Sequence, residues 1–167
     1  MLDIGCGFGH LGRALMDASP DHIQVEGLES VTRGGELIPV TAYEGTTMPF
    51  PDKTFDAVIL ADVLHHDLDQ ERLLREAVRI SRNIVIIKDH IRGSLLARQR
   101  ISLLDWAANA GYNVPCLYKY NDLKQWHTMI GKFSTGVVEE RTSIDVYPPV
   151  FNEILGKDLH YFVVFRV

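Results

Sequence analysis

The eight residues from Leu2 to Gly9, Leu-Asp-Ile-Gly-Cys-Gly-Phe-Gly, constrain this chain more than any others. Met1 to Ile4 has strand character and runs straight into three glycines spaced one residue apart. Leu11, Ala14, Leu15 and Ala18 then recur at helical spacing, which predicts a helix from about Gly9 to Ala18, stopped by Pro20 and Asp21. Glycines let the backbone turn sharply and let a ligand approach without meeting a Cβ. The helix N-terminus behind them favours negative charge. A strand, a glycine turn and a helix in this order therefore suit a ligand carrying a carboxylate or a phosphate.

The rest of the chain alternates in the same way. Strands are expected at Ile23 to Leu28, Leu37 to Ala42 and Phe55 to Leu60. The apolar run Ile84 to Ile87 suits a strand buried on both faces of a parallel sheet. Asp67 reads as an N-cap, with Gln70 in the capping-box position, before a helix carrying Leu73, Leu74, Ala77, Val78 and Ile80. A second helix is expected from Ser94 to Ala110, closed by Gly111, and a third from its cap Asn121 to Ile130, closed by Gly131. Val137 to Ile144 and Tyr161 to Val167 read as two consecutive strands. The expected class is α/β: a Rossmann-like, doubly wound, mostly parallel sheet ending in an antiparallel strand pair. No repeat, low-complexity stretch or linker interrupts the chain, so one domain over residues 1–167 is the simplest account.

Charge and cysteine content narrow the function classes. The net charge of −5 argues against a nucleic-acid partner, which normally requires a basic face. The two cysteines, Cys6 and Cys116, show no paired metal-ligand spacing, so no structural zinc site and no other metal is expected. With neither a signal peptide nor an apolar run of transmembrane length, the expectation is a soluble cytoplasmic protein.

Two cofactor classes compete for the glycine turn. Gly7, Gly9 and Gly12 match G-x-G-x-x-G, the dinucleotide fingerprint, which alone is a weak signal. Asp3 separates the two. Its carboxylate can reach into the loop, where it would repel a pyrophosphate but attract the amino group of S-adenosylmethionine. Glu29, at the end of the second strand and about 20 residues beyond the loop, can accept hydrogen bonds from ribose hydroxyls and fits either cofactor.

Two stretches together carry a resemblance. LDIGCGFG at 2–9 and MPFPDKTFDAVILADVLHH at 48–66 resemble class I S-adenosylmethionine-dependent methyltransferases, in particular the ubiquinone/menaquinone-biosynthesis type (type 11). The resemblance is sharpest over 2–66. It implies that Gly5, Gly7 and Gly9 bring backbone against the methionine part of the cofactor, with Asp3 behind its amino group. It places Glu29 on the ribose and Glu44 and Gly45 beside the adenine. It sets Ala61 and Asp62 at the border between the methionine end and the acceptor. The sequence departs from the family in two places. The helices usual before the first strand are lacking, and Ser30 to Gly35 is too short and glycine-rich for the helix usual there. On this reading the chain is a methyltransferase acting on a small-molecule acceptor. The rivals are a non-catalytic S-adenosylmethionine-binding module and an NAD-binding oxidoreductase.

An acceptor that must lose a proton needs a base, most useful with a pKa near 7. His65 and His66 follow the fourth strand, and Asp89 and His90 follow the fifth. Ligands in open α/β sheets bind at those carboxyl ends. His65 and His90 are the chosen candidates. His66 reads as a helix-start residue, and Asp89 as a loop cap or a partner orienting His90. Cys6 reads as a small packed residue. Arg92, Arg98 and Arg100 could grip an anionic acceptor, although a solvated helix face is the commoner outcome. Trp106, Tyr112, Tyr118 and Tyr120 could line an apolar acceptor wall, making 90–120 the expected cover over the reacting methyl group.

Overall fold

In the computed structural model, which describes residues 1–111 and 116–167, the turn at Gly5 to Gly9 sits in the middle of the molecule. The strand before it, β1 (Leu2–Ile4), pairs in parallel with β2 (Glu26–Glu29) on one side and β4 (Phe55–Ala61) on the other. β3 (Val40–Ala42) extends the sheet beyond β2, and β5 (Ser81–His90) extends it beyond β4, both in parallel. β6 (Gly136–Arg141) and β7 (His160–Arg166) complete seven strands in the order β3-β2-β1-β4-β5-β7-β6. β7 lies antiparallel between β5 and β6. The order steps outward from β1 in both directions. A parallel sheet built this way has a switch point at β1 and β4, where a crevice opens at the strand ends.

The helices are α1 (His10–Ala18), α2 (Gln70–Ile80), α3 (Ala97–Asn109), α4 (Leu123–Ile130) and the single turn α5 (Pro149–Phe151). A 3-10 turn at Leu64–His66 follows β4, and a π turn at Asn152–Gly156 follows α5. As expected from Ser30 to Gly35, no helix stands between β2 and β3. Among the described residues no helix is long and apolar enough to cross a membrane.

The central strands are apolar because both their faces are covered. Leu2, Ile4, Val58, Leu60, Val85 and Ile87 are sealed from solvent, and Leu74, Ala77 and Ile80 of α2 pack against them. On the antiparallel side Trp126 of α4 stacks on Tyr161 of β7, with ring centroids 5.0 Å apart.

Two caps fall elsewhere than the sequence suggests. Asp69, not Asp67, caps α2 by accepting from the backbone N–H of Arg72, while Asp67 accepts from Asp69 N–H and Arg72. Asp122, not Asn121, caps α4 in a capping box with Gln125; the Asn121 side chain turns away to Gln70. Gly111 and Gly131 close α3 and α4 at the expected positions, but neither enters the left-handed region. In each N-terminal case two polar residues compete within two positions. Tertiary partners such as Arg72 and Gln70 decide between them.

Candidate functional site

Gly5, Gly7 and Gly9 all have positive φ, at 67°, 56° and 79°. That geometry disfavours any side chain. A Cβ on Gly5 would also stand 2.5 Å from Val63, and one on Gly9 would stand 2.6 Å from Ile38. The turn is therefore held tight against β4 and the segment leading to β3. Cys6 fills the space over Gly27, whose hypothetical Cβ would lie 2.4 Å from its sulfur, so its role is packing. Burial, with help from Asp3 and Glu29, pushes its thiol up to about 12, far from a nucleophile's range.

Glu29 joins the turn to β2. Its Oε2 accepts the backbone N–H of Gly7 at 2.9 Å, and its Oε1 that of Ser30 at 2.8 Å. Asp3 lies beneath the turn at 2% exposure, and its Oδ2 has no hydrogen-bond partner. Burial first, and the charge of Glu29 second, raise its pKa to about 7. A buried carboxyl with an unused oxygen is a place where a cationic or donor group could gain.

Above these residues a cleft of about 540 Å³ opens at the ends of β1, β2 and β4. Gly5, Phe8, Glu29, Gly45, Asp62 and His66 are among its walls. Of the residues expected around a cofactor, Gly5, Glu29, Gly45 and Asp62 line the cleft. Asp3, Gly7 and Gly9 support it from below or beside. Ala61 is half-buried in β4. Glu44 is exposed, and its neighbours Tyr43 and Gly45 face the cleft instead. Asp62 takes a left-handed backbone, φ 56°, which is uncommon for a residue with a side chain. Lys88 Nζ holds its Oδ2 at 2.5 Å, while its Oδ1 is buried and unpartnered. A second cleft of about 740 Å³ lies between the start of α2 and α4; apart from Tyr120, none of the expected site residues line it.

The sequence-predicted histidines gather at the ends of β4 and β5. His65 Nδ1 donates to Asp89 Oδ1 at 2.6 Å, and its Nε2 lies 3.6 Å from Asp105 Oδ1. His66 Nε2 lies 3.7 Å from the same Asp105 oxygen, and Tyr120 donates to Asp105 Oδ2 at 2.7 Å. Burial disfavours charge on His65, but the carboxylates of Asp89 and Asp105 outweigh it and hold its pKa up at about 10. His65 is therefore an imidazolium at neutral pH. His90 behaves oppositely. Burial lowers its pKa and outweighs Asp89, so it stays neutral. Its ring centroid is 4.9 Å from that of His65 and 5.1 Å from that of His160. Asp89 Oδ1 also accepts the backbone N–H of His90 at 2.6 Å. Trp126 Nε1 donates to the His90 carbonyl, anchoring the strand end.

The expected cover over 90–120 is less apolar than the sequence suggests. Tyr120 is buried, but Trp106 is 56% exposed and Tyr118 39% exposed; Tyr112 lies outside the described residues. The three arginines do not converge. Arg100 donates to the carbonyls of Leu155 and Lys157, tying α3 to the segment before β7, while Arg92 reaches Asp122 and Gln125. Asp105, Lys88 and His160 join the site without a motif to announce them. Asp105 alone left a trace, as an acid on the same helix face as the buried Ala97 and Ile101.

Comparison with known proteins places the first half of the chain. Residues 2–84 match the family described as a methyltransferase domain, and over that stretch the chain belongs to this family. Its sheet has the Rossmann-like arrangement of solved methyltransferases. Ajmaline N-methyltransferase of Rauvolfia serpentina is 28% identical over 108 residues, 57% of this chain and 37% of that protein. Demethylmenaquinone methyltransferase of Thermotoga maritima is 30% identical over 87 residues, 48% of this chain and 38% of that one. The chain thus spans little more than a third of the length of these relatives. A solved S-adenosylmethionine-dependent methyltransferase of Methanosarcina mazei superposes with a TM-score of 0.70 at 14% identity, over 99% of this chain and 90% of that one. At that identity the likeness concerns the fold.

Proposed function

We propose that this protein binds S-adenosylmethionine in the cleft above Gly5 and moves its methyl group to a small-molecule acceptor near His90. One observation carries the reading: a glycine turn with Asp3 buried beneath it, one carboxyl oxygen unused, and the Glu29 carboxylate beside it in the cleft wall. Negative groups in those two positions suit an amino group and ribose hydroxyls, and oppose a pyrophosphate. Asp3 would hold the amino group, Glu29 the ribose, and Gly45 and Tyr43 the ring side. The cofactor supplies an electrophilic methyl carbon when bound. The protein's part is position and charge.

Of the two candidate bases, the electrostatics favour His90. It is neutral and can take the proton that an acceptor loses as it gains the methyl group. His65, already protonated, instead sets the local positive charge and fixes Asp89. The two curated relatives are named for small-molecule acceptors, an alkaloid and a quinone precursor, which supports the same class of acceptor here. Calorimetry tests the cofactor assignment. Micromolar binding of S-adenosylhomocysteine with no comparable binding of NAD is expected; tighter binding of NAD would overturn it.

A further inference from the structure

Among the described residues, two groups of three side chains bring possible metal-ligand atoms within 4.8 Å of one another. In His65, His66 and Asp105 the donors are already engaged. Asp89 holds His65, and Tyr120 holds Asp105. The second group, Asp62, His90 and His160, is different. His160 is 1% exposed, and neither of its ring nitrogens has a hydrogen-bond partner. His90 is 7% exposed with Nδ1 unpartnered, and Asp62 Oδ1 is unpartnered as well. Buried polar atoms are almost always satisfied. Here three residues distant in the sequence each carry a buried unpartnered atom, and one possible ligand atom from each lies within 4.8 Å of the others. Two imidazoles and a carboxylate gathered in this way are a donor set that a metal ion can serve.

We propose that Asp62, His90 and His160 form a binding site for a divalent transition-metal ion. Two imidazoles and one carboxylate suit Zn²⁺, Fe²⁺ or Co²⁺ rather than Mg²⁺ or Ca²⁺. The fold presents the three from adjoining strand ends. His90 and His160 are register partners across β5 and β7. Asp62 follows β4 in its left-handed conformation, with Lys88 fixing Oδ2 and leaving Oδ1 for the ion. Ligand atoms around a four-coordinate zinc stand roughly 3.3 Å apart, so the side chains draw inward by rotation on binding. Three protein ligands leave a coordination position free. Asp62 lines the cleft, so that position is reached from the cofactor side, where it takes an oxygen or nitrogen atom of the acceptor. This last step rests on the proposed methyl transfer; the ion site does not, and with the ion bound His90 serves as a ligand in place of the base role proposed for the ion-free site.

The test uses the full chain without a histidine tag, treated with chelator and titrated with Co²⁺ in the absence of any methyl donor. Calorimetry gives stoichiometry, and visible absorbance reports coordination. One Co²⁺ per chain is expected, with a Kd of about 10 µM or tighter. His160→Ala and Asp62→Asn should each weaken it by at least about tenfold. Asp62 is half-exposed, so its variant should remain folded if His160→Ala does not. His66→Ala should leave Co²⁺ binding unchanged. Absence of stoichiometric binding at about 100 µM Co²⁺, binding intact in both ligand variants, or loss only in His66→Ala would each overturn the site. A parallel titration with S-adenosylhomocysteine separates the two proposals. If S-adenosylhomocysteine binds and Co²⁺ does not, only the metal site falls; if Co²⁺ binds and S-adenosylhomocysteine does not, only the cofactor assignment falls.

Discussion

His65 Nδ1 stands 2.6 Å from Asp89 Oδ1, with both side chains almost sealed from solvent. The pair is a charged contact built across the ends of two neighbouring strands, and it fixes the orientation of the imidazole ring. Its strength is set by protonation. His65 is raised from its ordinary 6.5 to about 10, and Asp89 is held below its ordinary 3.8 against the cost of burial.

The contribution of His65 is therefore complete below pH 6.5 and is lost as pH rises through about 10. That of Asp89 is present above its ordinary 3.8 and is lost as pH falls through its depressed folded value. Asp89→Asn removes the nearer of the two counter-charges of a buried imidazolium, leaving Asp105, and should destabilise the fold by up to about 3 kcal/mol near pH 6. Urea unfolding at pH 6, 8 and 10 checks this, with the gap to the parent protein narrowing toward pH 10. A gap that stays constant across that range would show that charge is not what the pair supplies.

Asp3 has the opposite sign for a carboxyl. Raised from 3.8 to about 7, it stabilises most fully below pH 3.8 and loses that contribution as pH rises through 7. Asp3→Asn should thus gain on the parent in thermal unfolding above pH 7, by at least about 1 kcal/mol. Affinity for S-adenosylhomocysteine should rise through pH 7 in the parent, as the carboxylate forms, and lose that rise in the variant. An identical pH profile in the two proteins would remove Asp3 from the amino group.

Glu29→Ala should weaken S-adenosylhomocysteine by about 1.5–3 kcal/mol, the value of hydrogen bonds to a charged group. The variant also strips the acceptor from the N–H groups of Gly7 and Ser30, so a stability loss of about 1–2 kcal/mol is expected as well. Glu29→Gln keeps one acceptor oxygen and should fall between the two. Calorimetry on folded protein reads the binding effect; unchanged affinity in Glu29→Ala would place the ribose elsewhere.

His90→Ala should lower turnover by about 10²–10⁴ while leaving cofactor affinity nearly unchanged. The measurement is initial rate against acceptor at saturating methyl donor. Normal turnover in this variant would exclude His90 as the base.

The first ninety residues were largely legible because their signals are local. The glycine turn, Asp3, Glu29 and the run Ala57 to Leu60 each declare their setting within a few residues. What could not be read depends on distant partners. Asp69 rather than Asp67 caps α2, because Arg72 and Thr46 draw the chain into one arrangement among several of similar local cost. Glu44 is expected beside the adenine by position; it stands exposed after β3, with Tyr43 and Gly45 on the cleft wall. His160 carries no motif. It reaches His90 only through the antiparallel register of β7, and strand order is a tertiary fact.

That strand order also sets a timetable. β1 to β5 can form the cofactor half of the sheet once residue 90 has been made, since every pairing they need lies within the first ninety residues. His160 arrives only with β7, which must slot between β5 and β6, the latter already synthesised. During synthesis the open side of β5 is a bare edge, ready to pair with another chain. A chain ended in the 140s would hold β1 to β5 with one side of β5 uncovered, and would be prone to aggregate through that edge.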